Sequence, residues 1–333
     1  MNSTSFIIKE FRLALLTGWW RLLAFPRLLK SYLGDAIRFA KHSATFSFKK
    51  HPKLIGRIVR YYHSLEKGLS LRDVKPVFGE PIALRLLRLV KIAEKEGLGE
   101  NVQVKAARAV LREWGQHVGS DTSLKIAGLP ELIAREDKAR SANGGVVSAT
   151  RQSLLHLASG PFCDLLKARR SIRWFDERLV EENLLVRAIE MAQQSPSVCN
   201  RQAGRAIYTT DSAKIQAALA LQDGNRGFGA TVKALFIVTA DLSVFGGPDE
   251  RNQVFVDGGL FAMTLMYALS SLGLGACPLN WMADPKRDAK LRRLACISES
   301  QVVIMLLAVG HMPEQVKIAR SCRNDLGEVA TRW

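Results

Sequence analysis

The sequence predicts an α+β fold in which helices wrap a mixed sheet, preceded by a mainly helical N-terminal region. Two continuous apolar runs of strand length, residues 234–240 and 302–309, indicate strands buried on both faces, the first of them at the centre of the sheet. An apolar segment with several small residues, 257–272, indicates a long core helix between them. Residues 1–160 instead carry apolar positions at helical spacing.

Length and composition favour two units. A chain of 333 residues with 47% hydrophobic content exceeds what one small core needs, and we predict domains at 1–160 and 161–333. The five cysteines are widely spaced, odd in number and without a C-x-x-C pair, so neither disulfides nor a metal site is predicted. This pattern is typical of a protein from a reducing cytosol.

Much of the net charge of +17 lies at the N-terminal end, where residues 1–60 hold twelve Lys or Arg against Glu10 and Asp35. Such a charge favours an anionic partner, and no nucleic-acid-binding motif accompanies it. Residues 8–23 have an amphipathic helical pattern, and their longest apolar run, 13–20, is far shorter than the ~20 residues of a membrane span. Two interpretations stay open: a helix lying on an anionic membrane surface, or one docked on the protein's own core.

The next unusual stretch is 60–70, in which His63, Glu66 and Lys67 gather beside Gly68. His63 and Glu66 share a helix face at i and i+3. They predict either a pH-sensitive pair facing a cleft or a contact that ties this helix to the second domain.

Two further helices follow in the N-terminal region. Residues 81–95 have apolar side chains at helical spacing, and residues 102–114 form a second helix that we expect to stop before Gly115. Together they predict an antiparallel pair. The small residues 141–145 predict a flexible connection to the second domain.

The second domain begins with alternating predicted elements. Residues 180–194 and 214–221 have helical patterns, and the short β-branched run 206–210 between them predicts a strand. The two buried strands and the core helix complete the sheet and its cover.

Arginines at both ends of this domain carry the chemistry. Arg169, Arg170 and Arg173 lie within five residues, with Ser171 among them, and a second basic group near the C-terminus contains Arg320 and Arg323. The forked guanidinium is the side chain best suited to charge-assisted binding of phosphate. Two loop motifs lie between the arginine groups, Ser195-Pro196-Ser197-Val198-Cys199-Asn200-Arg201-Gln202 and Gly273-Leu274-Gly275-Ala276-Cys277-Pro278-Leu279-Asn280.

In the order and spacing of these motifs the second domain resembles the FMN-dependent nitroreductase family. The resemblance implies a nitroreductase-like fold, FMN as cofactor, NAD(P)H as co-substrate and a homodimer with FMN at the subunit interface. It also implies roles for named residues. The phosphate would be bound by Arg169, Arg170 and Arg323, assisted by Arg320, and the ribityl chain and pyrimidine edge would be contacted by Ser171 and Arg173. The ring would be lined from the other subunit by Pro196, Ser197, Asn200 and Gln202. The N5 side of the ring would lie against Pro278, Leu279 and Asn280.

Arg173 and Asn280 are the predicted catalytic residues, Arg173 because it would stabilise the charge of the reduced ring. Departures from the family pattern concern the substrate side. Bulky Trp281 follows Asn280, which predicts partial cover of the ring, and the stretch 241–256 is too short for the helical excursion that many relatives place over the site. We therefore expect the N-terminal region to supply the lid, with the glycine-rich loop 224–229 as a second candidate contact.

These features predict a cytoplasmic oxidoreductase that passes hydride from NAD(P)H through flavin N5 to an electron-poor acceptor by a ping-pong mechanism. The N-terminal region also resembles the leader region of nitroreductase-like proteins associated with surface-polysaccharide gene clusters. The alternative is thus an accessory protein of a polysaccharide or lipid pathway, bound to the inner face of the membrane, that keeps the flavin fold but has little turnover.

Overall fold

The computed structural model describes residues 51–119, 144–245 and 248–333, together with isolated residues between 25 and 37 and between 126 and 130. The predicted amphipathic segment 8–23 lies outside the described residues, and so do both interpretations of it.

A three-helix unit forms the described N-terminal part: α1 His51–Leu69, α2 Glu80–Lys95 and α3 Val102–Val118. Their apolar faces meet in one core around Tyr62 and Trp114, and the Trp114 indole nitrogen donates to the Phe78 carbonyl at 2.8 Å. The predicted helix at 81–95 is confirmed. The expected stop at Gly115 is wrong: this residue is buried inside α3, because the surrounding packing outweighs the weak helix preference of glycine.

A two-stranded antiparallel ribbon joins the two parts of the chain. Strand β1, Val146–Thr150, pairs along its full length with β6, Gln315–Ala319. Just before β1, Gly144 and Gly145 pack tightly: a β-carbon at Gly144 would meet the Ala106 backbone, and one at Gly145 the Glu113 carboxylate. Gly145 also has a φ of +96°, which only glycine adopts readily. The prediction of a flexible connection is therefore wrong for these two residues.

The larger sheet has the strand order β2-β3-β5-β4. Its strands are β2 Gly204–Thr209, β3 Ala234–Asp241, β4 Leu274–Asn280 and β5 Gln301–His311. The pairs β2·β3, β3·β5 and β5·β4 are antiparallel. A parallel bridge between Ser171 and Ala276 makes the outer edge of β4 mixed. The predicted α+β class is confirmed, as is the central position of the strand predicted at 234–240.

Alternate side chains of β3 enter two different cores, as its doubly buried pattern predicts. Leu235 and Ile237 join the core on one face of the sheet, and Phe236 and Val238 join the core on the other. The Phe236 face is covered by α6 Glu182–Ala192 and α8 Gln253–Ser271, and the opposite face by α7 Ser212–Leu219 and α9 Pro285–Leu294. The helices predicted at 180–194, 214–221 and 257–272 are thus present, with α8 starting one turn earlier.

The remaining short helices are α4 Arg151–Ala158, α5 Phe162–Ala168 and α10 Leu326–Val329. Among the described residues, α8 has the length and the mean hydropathy, 1.4, of a membrane span, with half of that window buried inside the protein. A mostly buried core helix of a soluble protein can have the same length and hydropathy, so α8 is only weak evidence for a membrane span.

Candidate functional site

The predicted arginine segment runs along the open edge of the sheet. Helix α5 ends at Ala168, and the chain then extends beside β4, where the Ile172 amide donates to the Ala276 carbonyl at 3.0 Å. Ile172 is buried in the core, which anchors the segment. Arg169 and Arg173 both lie close enough to Cys277 of β4 to act on its pKa.

Three guanidiniums from the two ends of the domain come together here. Burial lowers the pKa of Arg169, and the charges of Arg170 and Arg323 lower it further. Burial and Arg323 likewise lower the pKa of Arg170. Within the described part of the chain, none of the three has a carboxylate as ion-pair partner. Like charges held together without a counterion cost free energy that a bound anion recovers.

Arg173 is the most unusual residue of the site. Its side chain is 7% exposed, and its Nε and Nη1 atoms are buried without any hydrogen-bond partner among the described residues. A buried donor left unsatisfied costs about 1–3 kcal/mol, and a guanidinium cannot shed its charge to avoid this. Such a group is kept where a ligand supplies the missing acceptors.

The neighbouring Cys277 thiol is a packing residue. It is fully buried, and burial raises its pKa in spite of the nearby positive charges of Arg173, Lys67 and Arg169. A raised pKa keeps the sulfur in the unreactive thiol form at neutral pH.

The N-terminal region contributes a cation that sequence analysis did not assign to the site. Lys67, near the end of α1, donates to the Gly224 carbonyl at 3.3 Å. Its pKa is lowered by burial first and by the charge of Arg173 second. The sequence carried only a weak signal for this role, the gathering of His63, Glu66 and Lys67 beside a glycine.

The end of β4 is held by a second residue that sequence analysis missed. Gln222 is buried, and its amide nitrogen donates to the Asn280 carbonyl at 3.0 Å. Its amide oxygen accepts from the Gly224 amide at 2.6 Å. Gln222 thereby links Asn280 to the loop that Lys67 touches. Leu279 points into the core, so any ligand contact there comes from its backbone, whereas Pro278 is partly exposed and Asn280 exposed.

The loop 195–202, which contains Pro196, Ser197, Asn200 and Gln202, is held by contacts of its own, apart from the arginine segment. The Ser197 hydroxyl accepts from the Gln202 amide at 2.9 Å, and buried Asp257 of α8 accepts from the Val198 amide at 3.3 Å. Asn200 and Gln202 have positive φ angles of +53° and +50°, and both residues are exposed. A cavity of about 370 Å³ lies beside this loop and is lined by Pro196, Ser197, Gln202, Asp257 and Phe261, among others.

Within one chain this loop lies far from the arginines. It leads into β2, and the arginine segment borders β4 at the other edge of the sheet, which is three strand spacings or ~14 Å away. Along α8, Asp257 beside the loop and Tyr267 beside Arg169 are about 15 Å apart. The structure therefore brings together Arg169, Arg170, Ser171, Arg173, Arg323 and the strand from Pro278 to Asn280, but not the loop residues Pro196, Ser197, Asn200 and Gln202.

Two further residues have contacts outside the arginine group. Arg320 is exposed, and its charge acts on Glu113 of α3. The Trp281 indole donates to the Asp288 carboxylate of α9 at 2.8 Å and packs on the core beneath that helix.

The edge of the sheet at β4 thus carries arginines without carboxylate partners and the orphaned donors of buried Arg173, an arrangement that suits an anionic ligand. Residues 166–223 and 210–311 match the model of the nitroreductase family. The C-terminal part of the chain is therefore similar to the nitroreductase family over residues 166–311. The match does not extend to the N-terminal helices.

Several solved structures are similar to this domain. A nitroreductase family protein from Streptococcus pneumoniae TIGR4 shares 20% identity, with 52% of this chain and 100% of that chain covered and a TM-score of 0.44. An FMN-dependent nitroreductase from Clostridium difficile R20291 shares 22% identity, with coverages of 45% and 87% and a TM-score of 0.40. A nitroreductase family protein from Clostridium novyi NT shares 18% identity, with coverages of 46% and 87% and a TM-score of 0.42. No curated protein matches the chain.

Proposed function

We propose that the protein is an FMN-dependent oxidoreductase that passes hydride from NAD(P)H to an electron-poor acceptor. The observation that carries the proposal is the buried Arg173, whose Nε and Nη1 lack acceptors, beside arginines without counterions. The match to the nitroreductase family includes Arg169, Arg170 and Arg173 and ends before Arg323.

The residues present fit FMN at both of its ends. The phosphate is a dianion near neutral pH, and Arg169, Arg170 and Arg323 offer it three guanidiniums. The pyrimidine edge of the ring carries carbonyl and ring-nitrogen acceptors, which are what the Arg173 donors lack. Ser171 lies between the two ends and offers a hydroxyl to the ribityl chain.

When bound, FMN supplies a ring that accepts hydride at N5 from the reduced nicotinamide and returns it to the acceptor in a ping-pong cycle. The chain provides charge and position. Arg173, which is itself buried, would hold a fixed positive charge where negative charge develops on the ring. Gln222 keeps the Asn280 backbone in place, and we assign this end of β4 to the N5 side of the ring.

We further propose that the functional unit is a homodimer. The loop containing Pro196, Ser197, Asn200 and Gln202 is separated from the arginines of its own chain, and it would line the ring bound by a second copy. Helix α8 carries a solvent-facing apolar set whose members are 54%, 53% and 41% exposed: Phe255, Val256 and Leu260. Burial of such a face between two copies supports dimerisation.

The N-terminal region forms one wall of the site in this proposal. Leu71, just after α1, approaches Gly227 so closely that a β-carbon there would lie 2.7 Å from its side chain. The glycine-rich loop 224–229 is thus packed between the N-terminal region and β4. These contacts support the expectation that the N-terminal region replaces the lid of relatives with a longer 241–256 segment.

A visible absorption spectrum of the purified protein tests the cofactor, since bound oxidised flavin absorbs in the blue. Anaerobic stopped-flow mixing with NADH or NADPH then tests the reaction. Bleaching within seconds is expected, and a flavin-loaded protein that neither nucleotide reduces would contradict an oxidoreductase and favour the non-catalytic accessory protein. In this proposal the Trp281 indole, which donates to Asp288 of α9, does not cover the ring.

A separate experiment tests where the protein is located. We propose a cytoplasmic protein, and flotation with anionic and neutral vesicles, of the full chain and of a form without residues 1–30, tests peripheral membrane binding. Binding to anionic vesicles that depends on these residues is expected if the segment lies on the membrane, and equal recovery of the two forms would reject that interpretation.

A further inference from the structure

Lys67 is held at the site by the helix turn in front of it. The Glu66 side chain is fully buried, accepts from the Gly145 amide at 3.1 Å and lies 3.4 Å from the His63 Nδ1 atom. The Ser70 hydroxyl donates to the Lys67 carbonyl at 2.9 Å. These contacts fix the last turn of α1 against the glycine pair before β1, so the Lys67 side chain leaves the helix from a defined position.

The surroundings of the Lys67 ammonium are cationic. Its charge and that of Arg173 both act on the Cys277 thiol, which places the two side chains around the same residue of β4. No carboxylate of the described chain pairs with either of them. The contact from Lys67 to the Gly224 carbonyl, at 3.3 Å, is long for a charged donor and leaves further donors on the ammonium unused.

Two unpaired cations that converge from different parts of the chain point to one shared anion. We propose that Lys67 is the second cationic contact of the flavin's pyrimidine edge, acting beside Arg173, so that the N-terminal region completes the catalytic centre. The inference rests on the proposed FMN-dependent function.

The chemical consequence concerns the preference of the site for the reduced cofactor. Reduction places negative charge at the N1 and O2 edge, and a nearby ammonium favours that charged form over the neutral oxidised ring. Removal of the ammonium therefore weakens binding of reduced FMN more than binding of oxidised FMN. The difference is measurable as a fall in the midpoint potential of the bound cofactor, without any turnover assay.

The experiment compares the wild-type holoprotein with Lys67→Met, Lys67→Gln and Lys67→Arg, and with Lys91→Met as the matched control. Lys91 is an exposed lysine of α2. For each protein, FMN affinity is measured by fluorescence quenching and the midpoint potential by equilibration with a reference dye. Thermal melting of each apoprotein checks the fold. Two neutral replacements of different shape guard against one that folds poorly.

We expect Lys67→Met and Lys67→Gln to lose about tenfold in preference for reduced over oxidised FMN, a fall of about 30 mV for a two-electron couple. Lys67→Arg keeps the charge and should retain most of the potential, and Lys91→Met should match the wild type. A folded Lys67→Met holoprotein with wild-type potential and FMN affinity would overturn this inference and leave the proposed function standing. A wild-type protein that does not bind FMN would overturn the proposed function together with it.

Discussion

Arg173→Met should change the stability of the apoprotein and its affinity for FMN in opposite directions. Methionine replaces the long side chain with an apolar one of similar length, so the buried volume stays filled while the orphaned Nε and Nη1 donors disappear. A substitution that destroys a ligand contact is thus expected to stabilise the protein that lacks the ligand.

The magnitudes follow from the two unsatisfied atoms. At about 1–3 kcal/mol for each buried donor without an acceptor, the lower bound of the gain in the free energy of unfolding is about 2 kcal/mol. For a chain of this size we expect the apoprotein Tm to rise by about 4 °C. In the complex, two charge-assisted hydrogen bonds of about 1.5 kcal/mol or more are lost, which weakens FMN binding by at least ~100-fold.

Differential scanning fluorimetry of the apoproteins and a fluorescence titration with FMN measure both effects. Arg178→Met is the matched control, because Arg178 is 51% exposed and pairs with Asp176 at 2.6 Å on the surface. Its loss should cost less than about 1 kcal/mol and leave FMN affinity unchanged. An Arg173→Met apoprotein that melts below the wild type would refute the argument that this guanidinium is kept unpaired for a ligand.

Three further predictions concern the phosphate site and the contacts of the N-terminal unit. Arg323→Ala should weaken FMN binding roughly 10-fold or more, from the loss of a charge-assisted contact, and leave riboflavin binding unchanged; equal losses for both ligands in titrations would contradict a phosphate role. Gly145→Ala introduces a β-carbon against Glu113 at a φ of +96°, so urea unfolding should show a loss of about 2 kcal/mol, and a change within about 0.5 kcal/mol would be inconsistent with the close packing. Burial raises the pKa of Glu113, so its contribution to stability is full below its ordinary value of 4.5 and is lost as pH rises through the higher folded-state pKa. The Tm of Glu113→Gln minus that of the wild type should therefore grow from pH 4 to pH 7, and a difference that shrinks would reverse the sign we assign.

The elements with strong local patterns could be predicted from sequence. Strand β3 was evident because the run 234–240, apolar except for Thr239, suits only a strand with two covered faces, and α2 because its apolar residues follow the helical period. The predicted helix end before Gly115 was wrong because local helix preference cannot show that a glycine is buried against neighbouring residues. The predicted flexibility of Gly144 and Gly145 was wrong for the same reason, because the residues that enclose them come from α3.

The site was predictable only in part. Arg169 and Arg323 are far apart in sequence, and the order of the motifs between them, not any local signal, indicated that they meet. The roles of Lys67 and Gln222 were not predicted, because a lysine on an amphipathic helix usually faces solvent and a lone glutamine has no distinctive sequence pattern. Lys67 acquires its role through the contact of the N-terminal region with the loop 224–229, and Gln222 acquires its role through its hydrogen bond to the Asn280 carbonyl, and no spacing in the sequence encodes either contact.

The pairing of β1 with β6 has a consequence for dissecting this protein. Strand β6 has its backbone partner, residue for residue, in the segment just before α4, and buries Val316 and Ile318 beneath the junction. A fragment cut between the halves would leave this strand with a bare row of amides and carbonyls, a template for joining other chains. Expression of the C-terminal domain by itself should give aggregates, and any useful truncation must begin upstream of Val146.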